Sequence, residues 1–315
     1  MNRDPRSNRR LFSLMPFLAV LTVAACAASS GDLGGVATPP SFAAPSVDVP
    51  SAEPTPGATT ASPGSSPQPA SSGVAAGTTT VRAYFFLGSF TGDSGLVPVL
   101  REVPRTTAVG AAAMTALLAG PNETELSARP AMYTTLPNGT RFLGLTIDNG
   151  IATVDLSQEF EAGGDATSTV GRVAQVVYTL TQFPTVTGVR FTVDGVPPKT
   201  VFTGTYARAD YTDFLPAIWV DRPAWGGVLG NPGRVSGVAN VFEATFRIQV
   251  LDGNGHSVAN QPAMAACGTG CWGTFDVTVH YTVSAAQWGT LRVYDLSAKD
   301  GAREHTVNYP VWLTP

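Results

Sequence analysis

One segment of low complexity limits how much of this chain can fold. Residues 27–80 contain 11 Ala, 10 Ser, 9 Pro, 7 Gly and 7 Thr among 54 positions, and they include no Lys or Arg. A segment of this composition cannot bury enough apolar area to offset the conformational entropy that ordering would cost. We therefore predict a disordered linker over residues 26–80, which is either a passive spacer or a carrier of O-linked glycans.

The residues before the linker have the pattern of an export signal. Residues 1–10 carry four Arg and one Asp, and residues 11–25 form an apolar run that leads into Cys26. This run is shorter than the ~20 residues that a membrane-spanning helix needs. We therefore interpret residues 1–25 as a cleaved signal peptide.

The end of this signal, Val23-Ala24-Ala25-Cys26, resembles the lipobox of bacterial lipoproteins. The resemblance implies cleavage before Cys26 and acylation of its sulfur, so that a lipid anchor attaches the protein to the outer face of the cell membrane. The alternative is an ordinary secretory signal in which the cysteine occurs by chance.

The charge balance argues against nucleic acid as a partner. The formal net charge is −4, the isoelectric point is near 5.4, and no basic cluster follows residue 10. Binding to a phosphate backbone needs a clustered basic surface, which this sequence does not encode.

Residues 81–200 have the alternating pattern of a mixed helix and sheet domain, which we assign to the α+β class. Runs rich in β-branched and aromatic residues alternate with two runs of helical period, and Asp148-Asn149-Gly150 is typical of a hairpin turn. Thr106 and Thr107 are expected to cap the first helix, and Val170 is expected on the buried face of the second. The predicted strands are 81–87, 96–103, 142–147, 151–156 and 189–193, and the predicted helices are 108–118 and 166–181.

Residues 214–315 change to short β-rich runs separated by Gly, Asn and Asp. About seven such runs in about 100 residues are typical of an all-β immunoglobulin-like sandwich. Phe242 and Phe246 are expected in its core, with Glu243 facing solvent. The predicted strands are 218–221, 233–239, 244–251, 257–265, 273–281, 290–295 and 306–313.

Several runs within 81–200 resemble the sporulation and spore germination domain called GerMN. The most specific is residues 175–184, Gln-Val-Val-Tyr-Thr-Leu-Thr-Gln-Phe-Pro. Tyr178 and Phe183 within it are expected to pack where the second helix ends, or else to belong to a loop that contacts a partner. The other matching runs, in the same order along the chain, are 117–121, 136–140, 152–157, 189–191 and 194–195.

The second domain resembles the immunoglobulin-like domain that accompanies GerMN in bacterial surface proteins. The matching residues are 220–223, 235–244 and Asp300-Gly301. Both resemblances imply a link to sporulation or germination, and neither brings catalytic residues with it. GerMN is also similar to ring-building domains of envelope assembly machines, which implies an interaction role and weak self-association by analogy.

The sequence Cys267-Gly-Thr-Gly-Cys271 is the sharpest local feature of the second domain. Outside the membrane, two cysteines that close a short Gly-rich loop usually form a disulfide. Free thiols are one alternative. A metal site is another, but its further ligands would have to come from His256, His280 and His305.

No set of residues forms a recognisable catalytic motif. There is no Gly-x-Ser-x-Gly elbow, and residues 81–200 contain no His. The acidic group at residues 148–165 could suggest a glycosidase, but acidic residues are common at turns and strand ends. Asp252-Gly-Asn-Gly is interpreted as a hairpin turn because it lacks most Ca²⁺ ligands. We therefore expect neither an enzyme nor a cofactor or metal. The acidic group comprises Asp148, Asp155, Glu159, Glu161 and Asp165.

Three functions remain compatible with the sequence. The first is a non-catalytic envelope scaffold that binds other envelope proteins. The second is a module that binds peptidoglycan or another wall polymer through exposed aromatics such as Trp225, Trp272, Trp288 or Trp312. A hydrolase is third, because no assembled nucleophile is recognisable.

Lipidation at Cys26 can be tested by metabolic labelling with a fatty-acid analogue. The wild-type protein should be labelled and Cys26→Ala should not, because the acylated sulfur is removed. Equal labelling of both proteins would refute the lipobox interpretation.

Overall fold

The computed structural model describes residues 77–88, 95–199 and 201–315. The predicted signal peptide, Cys26 and the predicted linker up to residue 76 lie outside these residues. The prediction of disorder is wrong for Thr78–Thr80, because these residues begin the first strand and pair with Glu102–Pro104. Lipidation of Cys26 and the domain limits 81–200 and 214–315 remain predictions. Among the described residues, no helix is both long and apolar enough to span a membrane.

The first domain mixes helices and strands, as the sequence predicted; its strands form two three-stranded sheets, and the short elements α2 and β3 were not predicted. One sheet has the order β2-β1-β3 and is antiparallel. In the other, of order β4-β5-β6, a hairpin joins β4 to β5, and β6 runs parallel to β5 after the crossover helix α3. The elements are β1 (Thr78–Leu87), β2 (Gly95–Pro104), α1 (Val109–Leu118), α2 (Glu123–Leu126), β3 (Met132–Tyr133), β4 (Phe142–Asp148), β5 (Ile151–Leu156), α3 (Ala166–Leu180) and β6 (Gly188–Val193).

Local signals set the ends of several of these elements. Asn149 and Gly150 both have positive φ, 48° and 83°, which is the conformation that a tight hairpin turn requires. Asp165 caps α3 by accepting a hydrogen bond from the Ser168 amide at 2.7 Å. The N-cap of α1 is Ala108 rather than a threonine, although the Thr106 hydroxyl accepts a hydrogen bond from the Ala108 amide at 3.0 Å.

The burial of residues in helix α3 depends on their position along the helix and not on which helix face they occupy. All ten residues from Gly171 to Leu180 are buried, whereas Val170 is 43% exposed, so its predicted place in the core is wrong. The first five residues of α3 are exposed or half-buried, and all of its later turns are buried.

Because α3 is covered all round, its polar side chains need internal partners. Arg172 donates to the backbone carbonyls of Phe160 and Gly163, at 2.6 and 2.7 Å. The Gln175 amide donates to the Tyr84 carbonyl at 2.8 Å. These bonds attach α3 to the preceding turn and to β1.

The second domain is all-β, with the predicted sandwich pattern. A five-stranded sheet has the order β11-β10-β13-β14-β8, and a three-stranded sheet has the order β12-β9-β7. All seven predicted strands are present, and β8 was not predicted. The strands are β7 (Ile218–Arg222), β8 (Val228–Leu229), β9 (Gly233–Ala239), β10 (Thr245–Leu251), β11 (Ser257–Met264), β12 (Gly273–Val279), β13 (Gln287–Leu296) and β14 (Arg303–Leu313).

Phe246 is buried against Phe275, with ring centroids 4.8 Å apart, but Phe242 is 57% exposed. The prediction that both fill the core assumed continuous strand alternation. Phe242–Ala244 instead forms a 3-10 turn, in which Glu243 is exposed and has a φ of 53°. The turn breaks the two-residue period, so Phe242 points to solvent.

Cys267 and Cys271 are joined by a disulfide. The loop they close lies against the 3-10 turn, because the Thr269 amide donates to the Val241 carbonyl at 2.9 Å and the Thr269 hydroxyl accepts from the Glu243 amide at 3.0 Å. The disulfide therefore keeps one short loop folded against a neighbouring turn, and its stabilising effect is local.

The disulfide should be present in the exported protein. Intact mass after thiol blocking should show no added label before reduction and two labels at Cys267 and Cys271 after it. Loss of the bond in Cys271→Ser should cost at most about 2 kcal/mol of unfolding free energy, because the closed loop is short. Two blocked thiols before reduction would contradict the pairing.

Candidate functional site

The two domains meet around Arg208, which lies in the 3-10 segment Arg208–Phe214 between them. The carbon at the centre of its guanidinium is 4.7 Å from the ring centroid of Tyr178, 5.4 Å from that of Tyr84 and 5.8 Å from that of Trp219. These rings belong to α3, β1 and β7, so one cation contacts three elements from both domains. Each such contact stabilises by about 0.5–2 kcal/mol.

Hydrogen bonds fix the orientation of this guanidinium. Arg208 Nη2 donates to the Tyr84 hydroxyl and to the Tyr178 carbonyl, both at 3.0 Å, and Nε donates to the Thr181 hydroxyl at 2.8 Å. The Tyr84 hydroxyl in turn donates to Asp221 Oδ1 at 3.1 Å. Asp221, in the second domain, thereby receives a bond from the first.

The protonation states at this junction are fixed near neutral pH. Burial raises the pKa of Tyr84 and of Tyr178 above the ordinary value of a phenol. Burial alone would lower the pKa of Arg208, but Tyr84 and Asp221 outweigh it, so this pKa is raised. Arg208 therefore stays charged and both tyrosines stay neutral, which suits a structural junction and not proton transfer.

Further bonds attach the domains directly. The Trp219 indole donates to the Leu96 carbonyl at 2.8 Å, and the Trp225 amide donates to the Pro98 carbonyl at 2.9 Å. A single cluster of buried apolar side chains continues from the first domain into the second. One continuous core thus spans both domains.

Of the residues at this junction, the sequence predicts a packing role only for Tyr178, where the second helix ends. That packing prediction is confirmed, since Tyr178 is 1% exposed. Arg208, Trp219 and Asp221 were not singled out as functional or structural partners. Of these three, only Asp221 is marked in the sequence, because it lies in the run 220–223 that resembles the immunoglobulin-like domain.

A groove of about 330 Å³ opens beside the junction. Its lining includes Leu100, Asn122 and Thr124 from the first domain and Trp225, Trp288 and Pro310 from the second. Trp288 is 55% exposed, and its ring meets that of Trp312 edge-on with centroids 5.4 Å apart.

The structure therefore groups three of the four tryptophans proposed for polymer binding. Trp225 and Trp288 line the groove, and Trp312 supports Trp288 from β14. Trp272 is not among the residues lining the groove; it is half-buried and packs on the core next to the disulfide loop. Trp225 and Trp312 are also half-buried, so Trp288 is the tryptophan most open to solvent.

The acidic residues at 148–165 have local structural roles. Asp155 accepts from the Thr192 hydroxyl and the Gly195 amide, at 2.8 and 2.9 Å, and Asp165 caps α3. A hydrogen bond from Ser157 lowers the pKa of Glu159. Asp148 accepts from Asn149 at 3.2 Å, and Glu161 is exposed. Asp148, Asp155 and Asp165 thus take part in a hairpin turn, a strand contact and a helix cap.

Two other clusters could be considered for metal binding. Asp252 closes the β10–β11 turn by accepting from the Asn254 and His256 amides, at 2.9 and 2.8 Å, so its assignment as a hairpin turn is confirmed. Asp295, Glu304 and His305 bring three potential ligand atoms within 4.8 Å of one another. His305 Nδ1 lies 2.8 Å from Asp295 Oδ1, a pair that already joins β13 to β14.

The junction can be tested with two arginines that both lie near Asp221. Arg208→Ala should lower the free energy of unfolding by about 2–4 kcal/mol, because it removes the cation that Tyr84, Tyr178 and Asp221 surround. Arg222 lies 3.9 Å from Asp221 but its side chain is 66% exposed, so Arg222→Ala should cost less than about 0.5 kcal/mol. Urea unfolding of the full chain provides the measurement. Equal losses in the two variants would contradict the junction.

Two family models match the described domains. Residues 82–199 match the sporulation and spore germination domain (Germane), and residues 217–302 match the immunoglobulin-like domain of bacterial spore germination (Gmad2). No curated protein sequence matches the chain.

Solved structures with weak similarity include a candidate lipoprotein from Clostridium perfringens, with 20% identity, a TM-score of 0.30 and coverage of 42% of this chain and 90% of that one. The tandem GerMN domains of the sporulation protein GerM from Bacillus subtilis have 15% identity and a TM-score of 0.35, covering 76% of this chain and 61% of that one. The assignment follows from the family matches and not from these superpositions. The chain carries a Germane (GerMN-type) domain followed by a Gmad2 immunoglobulin-like domain of the bacterial spore germination families.

Proposed function

We propose that this protein is a non-catalytic, lipid-anchored surface protein that acts in sporulation or germination by binding other envelope proteins. Both domains belong to families associated with sporulation and germination, and these families are not known as enzymes. The sequence around Cys26 supports an anchor on the outer face of the membrane.

The observation that carries the proposal is that Arg208 and a shared apolar core hold the two domains together. Domains within one chain usually meet through loose, polar interfaces and move relative to each other. Here Arg208 and a continuous apolar core join them, so residues of both domains form one fixed surface. A preorganised surface loses less entropy when it binds, which suits a protein that acts by contact.

Binding of a wall polymer is the second candidate function. It is favoured by the grouping of Trp225 and Trp288 in one groove, since large exposed aromatics commonly mark binding sites. A hydrolase has less support, because the described acidic residues at 148–165 serve turns and a helix cap.

The envelope-protein proposal predicts specific crosslinks in cells. A photo-crosslinking residue placed at Leu143 in the first domain or Met264 in the second should capture a protein partner, because both side chains are exposed, at 45% and 67%. Mass spectrometry identifies the captured protein. Cys26→Ala should weaken capture, because loss of the anchor lowers the local concentration at the membrane.

Self-association is measured in parallel by sedimentation of the full chain at rising concentration. A strict monomer that captures no protein at either position would overturn the scaffold proposal. Purified wall material incubated with the same full chain tests the second candidate separately.

A further inference from the structure

The groove beside the junction has fixed walls. The Trp225 amide donates across the junction to the Pro98 carbonyl, and the Gly226 amide donates to the Pro310 carbonyl, both at 2.9 Å. Val99 and Trp225 also form a parallel β-bridge between the two domains. The groove is therefore preformed, and its volume of about 330 Å³ lies within the ~300–1,000 Å³ usual for small-ligand sites.

Two large apolar side chains are open to solvent in this groove. Trp288 is 55% exposed and Leu100 is 38% exposed. Trp288 is directly opposite Trp312 in the β13–β14 pairing, and the edge-on contact between the rings restricts how Trp288 can turn. The groove thus offers a supported aromatic surface.

The groove carries no free charge. Glu125 is the acidic residue of its wall, and Arg101 forms a double hydrogen bond with its carboxylate, at 2.7 and 2.6 Å. The side chain of Glu125 is only 6% exposed. With the arginine and the carboxylate paired to each other, neither is available to a phosphate or to an ammonium group, so a neutral ligand is favoured.

Two polar groups next to the aromatic surface are available for hydrogen bonds. Asn122 uses its side-chain oxygen to accept from the Glu125 amide at 2.9 Å, which leaves its NH₂ group as a donor. The Thr124 hydroxyl is the second. Both residues are exposed, and among the described residues neither of these two groups has a protein partner.

This combination matches the chemistry of a sugar ring. A pyranose presents an apolar face of C–H groups, which packs on an aromatic ring, and hydroxyl or amide groups at its rim, which bond to amides and hydroxyls. We infer that the groove binds a neutral saccharide chain of the kind found in wall glycans, with Trp288 as the stacking platform and Asn122 and Thr124 as rim contacts. The inference rests on the second candidate function and names its site.

The test titrates the full chain, purified in detergent, with the β-1,4-linked tetramer of N-acetylglucosamine by calorimetry. Trp288→Ala should weaken binding about tenfold or more, and Thr124→Val, which keeps the shape and removes the hydroxyl, should weaken it about fivefold. Phe242→Ala is the matched control, because Phe242 is an equally exposed aromatic of the same domain that does not line the groove. Its affinity should equal that of the wild type.

Sedimentation with purified wall material measures wall binding separately from binding of the tetramer in the groove. If Trp288→Ala still binds wall material as the wild type does, the groove is not the site of wall binding, although the protein binds the wall. Tetramer binding that requires Trp288, without any wall binding, would support the groove and refute the wall function. A wild type that does not bind the tetramer would overturn the saccharide assignment.

Discussion

The cation of Arg208 between three aromatic rings is the contact on which the rest of the molecule depends. Burying a guanidinium is costly unless its hydrogen bonds and its charge are satisfied. Nε and Nη2 donate to Thr181, Tyr84 and Tyr178, and Nη1 lies 4.0 Å from Asp221 of the second domain. Because the Trp219 ring of the second domain also lies against this guanidinium, Arg208 helps to hold the two domains in one relative position.

That fixed position creates the groove. Its first wall belongs to β2 and to the capped turn at Asn122, and its second wall is formed by the segment between β7 and β8 together with β13 and β14. The amide of Trp225 bonds to Pro98 across the boundary, so the tryptophan is held by the domain that it faces. If the junction loosened, the walls would move apart and the aromatic surface would lose its opposite side. The stability of the junction and the shape of the groove therefore share one structural origin.

The sequence predicted those elements whose structure is set by neighbours along the chain. The Asp148-Asn149-Gly150 hairpin and the strand Gly233–Ala239 agree with prediction, because turn chemistry and two-residue alternation are local. The errors at Phe242 and Val170 have a common cause. Phe242 was placed by a strand period that a 3-10 turn interrupts, and Val170 by a helical period in a helix whose burial varies along its axis.

By itself, the sequence determined the two domain types and the Asp148-Asn149-Gly150 hairpin turn, and it favoured the pairing of two cysteines that are four residues apart. Only the tertiary structure decided which polar side chains meet at the junction and which tryptophans share a groove. Arg208 is 124 residues from Tyr84, and Tyr84 is 137 residues from Asp221. No local period or motif relates positions this far apart. Their meeting depends on how two separately patterned domains pack, and that packing is decided by the burial of a common core.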